Sequence, residues 1–326
     1  MWKDKNNSKL YMVKENGTKQ NIFIYKNHEQ LMRLNLQNLK NIKNSYKNYI
    51  SVIFSLLLNK KKINVKLKNG KLYTWNNLQV RNYIVASNIK YKNDAKVEFF
   101  PELDKIEFNY LSRRLTFFGF LEDGWIYNEL VNFEYGNLNF KDRVVLDIGA
   151  NIGVTSVYFA LNGAKKVYAI EPMPKTYSIL QKNIEINKLT ELILPLNYGI
   201  GKTSKVNLDE SISGLGANIN SAIKSSGKTI EIKNLKYIIE NYKIGKCVLK
   251  MDCEGCEYDA LLSLDNDTIS NFDEIILEYH YGCTNLKKFL EDNGYKVSCT
   301  KSKRSFNNIF QTKMISGFLY AYKLKK

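Results

Sequence analysis

Two short runs in the C-terminal half collect the side chains best suited to moving a proton. The first is Leu249-Lys250-Met251-Asp252-Cys253-Glu254-Gly255-Cys256-Glu257-Tyr258, and the second is Ile275-Ile276-Leu277-Glu278-Tyr279-His280. A positioned histidine or carboxylate that removes a proton from a reacting hydroxyl typically contributes ~10²–10⁴-fold. Asp252, at the end of a strand, and Glu254 and His280 are therefore the candidate catalytic groups. Glu278 and His280 stand two apart, which on a strand puts both side chains on one face. Glu254 and Glu257 open a helix, where the helix dipole stabilises a carboxylate whatever its role; Gly255 between them points to a close backbone approach. The set Asp252, Glu254, Glu278 and His280 could hold a divalent cation that orients a substrate oxygen. Strand-end carboxylates also serve without metal, and no metal is assigned. The other histidine, His28, has no acidic cluster around it and receives no role.

A second constellation is the run Asp147-Ile148-Gly149-Ala150-Asn151-Ile152-Gly153, which leaves an apolar strand and enters a helix. Open α/β sheets bind ligands at the carboxyl ends of their strands. Loops that cradle a pyrophosphate need a second glycine for backbone approach. Here Asn151 holds that position, and the carboxylate of Asp147 would repel phosphate. S-adenosylmethionine, with an ammonium and a sulfonium, makes the opposite demand and is the expected cofactor. Glu171, 22 residues after Gly149 at the end of the next strand, is placed to accept both ribose hydroxyls. The expected cofactor residues are Asp147, Gly149, Asn151, Gly153, Glu171, Pro172 and Asn197. A nicotinamide dehydrogenase is the competing enzyme class.

The stretch from Val144 to Leu189, with the glycine run and then Ala169-Ile170-Glu171-Pro172, resembles the FkbM family of class I methyltransferases. The run from Leu249 to Tyr258 is similar to that family's K-[IM]-D-x-E-G-x-E signature. The resemblance spans roughly residues 125–326; the first hundred residues share only a loose likeness at the Lys68-Asn69-Gly70 turn. It implies S-adenosylmethionine-dependent transfer of a methyl group to a hydroxyl of a sugar, a glycan or a natural product. Two alternatives stay open: an RNA methyltransferase that holds its substrate on the basic N-terminal region, and a non-catalytic basic binding module on the same fold. No N-P-P-Y-like motif for base amines is present.

The elements that must carry these residues follow from hydrophobic periodicity. Strands are expected at Val144–Ile148, Lys166–Ile170, Leu192–Leu196, Cys247–Met251, Glu274–Tyr279, Tyr295–Cys299 and Gly317–Lys323, with helices at Asn151–Leu161, Lys175–Asn187 and Leu286–Asn293. This alternation predicts an α/β, Rossmann-like, mostly parallel seven-stranded sheet flanked by helices. Residues 28–58 read as helical, and Asn69-Gly70 reads as a hairpin turn between period-two runs. Residues 98–143 have the weakest periodicity and contain the expected junction, which divides a basic N-terminal region (1–120) from a methyltransferase domain (121–326). Small polar residues at Ile212–Ser226 suggest a loop that closes over substrate.

The net charge of +17 is concentrated: residues 1–100 hold 20 Lys/Arg and 5 Asp/Glu, leaving 17 − 15 = +2 for the remainder. Such a region attracts an anionic membrane surface or another polyanion, with nucleic acid the less expected partner beside a small-molecule or glycan acceptor. The apolar stretch Tyr49–Leu58 is too short to span a bilayer, but Lys60, Lys61 and Lys62 follow it. No secretory h-region follows Met1, and an odd count of 5 cysteines argues against a disulfide framework. The expectation is a cytoplasmic protein, with peripheral membrane contact open.

Overall fold

The computed structural model describes residues 11–13, 19–21, 36–92, 94–131, 138–209, 219–307 and 312–324. His28, the expected helical start at residues 28–35 and residues 212–218 of the polar loop lie outside them. No described helix is long and apolar enough to cross a membrane.

One large sheet organises residues 144–323. Its strands are β1 (Val144–Ile148), β2 (Lys166–Ile170), β3 (Ile193–Leu196), β4 (Cys247–Met251), β5 (Phe272–Tyr279), β6 (Tyr295–Cys299) and β7 (Thr312–Lys323), in the order β3-β2-β1-β4-β5-β7-β6. All run parallel except β7, which is antiparallel to β5 and β6. An eighth strand, Lys303–Asn307, pairs with the first part of β7. The chain winds outward from β1 to β3 and then returns to β4 beside β1, so the carboxyl ends of β1 and β4 flank the topological switch point.

Helices cover both faces, which is why the central strands are almost wholly apolar. Val145, Val167 and Val248 enter one hydrophobic cluster with Val157 and Leu180 of helices Val154–Leu161 and Pro174–Ile186. Leu146, Ile148, Leu249 and Met251 enter the other, against helices Leu235–Asn241, Glu257–Leu262 and Thr284–Asp292.

The preceding region packs onto the first cluster rather than standing apart. Helices Leu36–Ser45 and Tyr49–Leu57 precede a hairpin, Ile63–Lys66 with Leu72–Trp75, which turns at Gly70 (φ 94°). Asn76 then starts helix Asn77–Asn88 with a capping box completed by Gln79. The weakly periodic segment holds a three-stranded antiparallel sheet, Glu98–Phe100, Lys105–Tyr110 and Arg113–Phe118. Tyr46, Trp75, Phe108, Phe117 and Phe120 belong to the same cluster as Val145 and Val167.

Two buried asparagines on helix Pro174–Ile186 and its cap fasten this sheet. The side chain of Asn183 accepts from the Phe118 N–H and donates to the Phe118 carbonyl, at 2.7 and 3.1 Å. Asn187 does the same for Thr116, at 3.0 and 2.7 Å. Residues four apart on a helix share a face and residues two apart on a strand share a face, so the amides stand in for a neighbouring strand at its edge.

Candidate active site

β1 ends at Ile148, and the chain turns through Gly149, Asn151 and Gly153, whose φ values of 73°, 49° and 95° are left-handed. A Cβ on Gly149 would lie 1.7 Å from the Asp252 carbonyl oxygen, and one on Gly153 would lie 2.6 Å from Leu180 Cδ1. Both positions exclude a side chain. Asp252 N–H donates to the Ile148 carbonyl at 2.9 Å, so the exits of β1 and β4 are in direct backbone contact. The glycine turn and the acidic run are two walls of one crevice.

Glu171, at the end of β2, is nearly buried. One carboxylate oxygen accepts from the Asn151 N–H at 3.1 Å and the other from the Met173 N–H at 2.8 Å. Burial pushes the Glu171 carboxyl up to about 7, against the pull of these two bonds and of Lys250. Asn197 donates to the carbonyls of Glu171 and Pro172, at 2.8 and 3.1 Å, and so ties the exits of β2 and β3. The Asn151 amide donates to Asp123 at 3.3 Å. Burial raises Asp123 to about 6. Nothing in the sequence around Asp123 points to this crevice; it comes from the weakly periodic segment, and only the packing of that segment brings it here.

Asp147 is placed differently from the expectation. Its carboxylate is fully buried and turned under the turn: one oxygen accepts from Thr155 and Ser156 hydroxyls at 2.7 and 2.6 Å, and the other lies 3.0 Å from Lys250 Nζ. Those partners, rather than the crevice, surround the carboxylate. Lys250 Nζ also donates to the Gly149 carbonyl at 3.0 Å, so the pair fixes the turn from below.

Across the crevice, the buried His280 lies between two glutamates. Nδ1 is 3.1 Å from Glu257 Oε1 and Nε2 is 3.4 Å from Glu254 Oε2. Burial works against charge on the ring, but the hydrogen bond to Glu257 and the charges of Glu257, Glu254 and Asp252 outweigh it and raise His280 to about 10. The ring is an imidazolium at neutral pH, and both N–H groups face carboxylates. Glu257 is fully buried, and its Oε1 also accepts from the Cys253 and Gly255 N–H groups at 3.2 and 3.3 Å. The helix-start position of Glu257 thus serves a hydrogen-bond hub, a role its sequence context did not separate from simple dipole stabilisation.

Glu254 is the more exposed member, with 26% of its side chain accessible against 4% for His280. Burial pushes its carboxyl up to about 7; His280 opposes the rise, and Asp252 and Glu257 add to it. Glu254 (φ 57°) and Gly255 (φ 113°) form a left-handed pair that brings Cys253 and Cys256 to a Cα separation of 5.5 Å, joined as a disulfide. The odd count of 5 cysteines argues against a wider disulfide framework, and this single bridge of three-residue separation needs none. Cys247, Cys283 and Cys299 are outside it. Asp252, Glu278 and His280 each place one ligand atom within 4.8 Å of the others, a span that could accommodate a cation.

The sheet order, the switch-point crevice, the glycine turn and the acid at the end of β2 define a Rossmann-like class I methyltransferase fold. Residues 147–297 match the family described as the methyltransferase FkbM domain. Methyltransferase sdnD of Sordaria araneosa is 23% identical over 237 residues, which cover 60% of this chain and 88% of that protein. Methyltransferase 1 of Beauveria bassiana is 23% identical over 192 residues, covering 48% and 74%. The solved structure of Methanocaldococcus jannaschii Trm5 in complex with adenosine is similar at 13% identity and a TM-score of 0.37, over 80% of this chain and 69% of that one.

Proposed function

We propose that this methyltransferase uses S-adenosylmethionine and methylates a hydroxyl of a sugar, a glycan or a natural product. The observation that carries the reading is the chain Glu254–His280–Glu257, set one backbone contact away from the Gly149 turn. A hydroxyl is a weak nucleophile until a base takes its proton, and a base works best with a pKa near the working pH. Glu254, pushed up to about 7 and partly accessible, meets that requirement.

The crevice also suits the cofactor. Each oxygen of Glu171 accepts one backbone N–H and retains capacity for one ribose hydroxyl. Asn151, with its own side chain directed to Asp123, leaves no phosphate cradle. S-adenosylmethionine, when bound, supplies an electrophilic methyl group on sulfur. The residues of the chain then have distinct tasks. Asp252, held by backbone at the exit of β4, orients the acceptor. Glu254 would take the proton that the acceptor hydroxyl loses when it is methylated. His280 keeps Glu254 in place by charge, and Glu257 fixes the ring through its hydrogen bond to Nδ1. Glu257 is thus a positioning residue.

The acceptor class rests on the likeness to the FkbM domain, because the fold alone does not choose a substrate. The test is transfer of labelled methyl groups by the purified protein into separated glycan, small-molecule, lipid and RNA fractions. Label in glycan or small hydroxylated molecules is expected. Label confined to RNA would establish the nucleic-acid reading instead, and stabilisation of the protein by NAD but not by S-adenosylhomocysteine would remove the cofactor assignment.

A further inference from the structure

The helix Tyr49–Leu57 buries Val52, Ser55 and Leu56 and has no charged residue. A surface helix ordinarily turns charged and polar residues to water. This one instead exposes Ile50 at 57%, Phe54 at 60%, Leu57 at 38% and, at its C-cap, Leu58 at 68%. Positions i, i+4, i+7 and i+8 lie on one helix face, so these four side chains form a single apolar stripe rather than scattered exposures.

The charge around the stripe is one-sided. Residues 36–92 contain 12 Lys/Arg and no Asp or Glu, and 11 of the 12 are lysines. Lys60, Lys61 and Lys62 follow the stripe directly and are exposed, as is Lys47 just before the helix. We propose that this face is a docking surface for an anionic membrane: Ile50, Phe54, Leu57 and Leu58 enter the acyl boundary, and the lysines meet the lipid phosphates.

Other occupants fit less well. A second copy of the chain would bring one acid-free basic region against another, with repulsion and no ion pair to offset it. A nucleic acid offers phosphates to the lysines but no apolar medium for three aliphatic side chains. Single-strand binding uses aromatic stacking platforms and arginine, and the stripe has one aromatic residue. Aliphatic knobs beside lysines match both halves of a lipid surface. This inference is independent of the methyl acceptor.

The test is flotation of the full chain with vesicles of phosphatidylglycerol and phosphatidylcholine in equal parts, and with phosphatidylcholine alone. Binding to the anionic vesicles that weakens with salt is expected. Each lysine near such a surface contributes about a factor of five, so K60Q/K61Q/K62Q should weaken binding by roughly a hundredfold. F54D/L58D should also release the protein; both side chains already face water, so circular dichroism and S-adenosylhomocysteine binding should be unchanged. Equal vesicle binding by wild type and F54D/L58D would overturn the proposal, as would binding to single-stranded RNA without binding to anionic vesicles, or a concentration-dependent dimer abolished by F54D/L58D.

Discussion

Lys250 Nζ and Asp147 Oδ1 lie 3.0 Å apart beneath the cofactor turn, with 2% and 0% of their side chains accessible. Desolvation disfavours the lysine charge, but Asp147, foremost, and then Asp252 raise its pKa. An isolated buried charge is costly, so each partner depends on the other. Lys250→Met should lower stability by about 3–5 kcal/mol, read as a fall in the urea midpoint. Lys250→Met combined with Asp147→Asn should recover part of the loss, because the stranded carboxylate is removed. Full stability in Lys250→Met alone would show that the pair does not hold the turn.

Glu254 sets the next expectation. Its pKa of about 7 means the carboxylate that accepts a proton predominates above neutrality, so kcat should rise with pH through about 7. Glu254→Gln should lower kcat by ~10²–10⁴-fold, flatten that limb and leave the dissociation constant for S-adenosylhomocysteine unchanged. Chelation by EDTA should leave turnover intact. Loss of activity with EDTA, restored by Mg²⁺ or Mn²⁺, would instead assign a cation to Asp252, Glu278 and His280.

His280 makes a stability signature. Its folded-state pKa is raised from 6.5 to about 10, so protonation favours the folded chain. That contribution is complete below pH 6.5 and is lost as pH rises through about 10. Urea denaturation of wild type and His280→Gln at a series of pH values should show the wild-type advantage shrinking with rising pH. A constant or growing gap would contradict the imidazolium between Glu254 and Glu257.

Glu171 governs cofactor affinity. Burial raises its carboxyl to about 7, and the ionised form is the one that accepts both ribose hydroxyls. Affinity for S-adenosylhomocysteine should therefore increase with pH through about 7, since binding favours the deprotonated state. Glu171→Gln should weaken binding by about 1.5–3 kcal/mol and remove the pH dependence. Calorimetry over this range checks both.

Much of the fold was legible because the central strands are buried on both faces and read as continuous apolar runs. Strands β1, β2, β4 and β6 fall at the expected residues, and the others differ only at their ends. The two three-stranded sheets were not legible. Lys105–Tyr110 and Arg113–Phe118 bury only alternate residues with charged ones between or before them, and Glu98–Phe100 buries none; Ser204–Leu208 and Lys228–Lys233 are short and half-exposed. The amide ladder from Asn183 and Asn187 to Phe118 and Thr116 links positions 65 and 71 residues apart, a separation at which no periodicity speaks.

By itself the sequence determined the glycine turn, the acid at the end of β2 and the two runs that meet across the crevice, because strand ends and glycine positions are local properties of the chain. It also fixed the one-sided charge of residues 36–92. Only the tertiary structure decided where each carboxylate points. Asp147 turns under the loop to Lys250, Thr155 and Ser156, whereas Glu257, ambiguous in sequence, sits fully buried against His280. The direction of a side chain depends on what packs above and below it, and those neighbours come from distant parts of the chain.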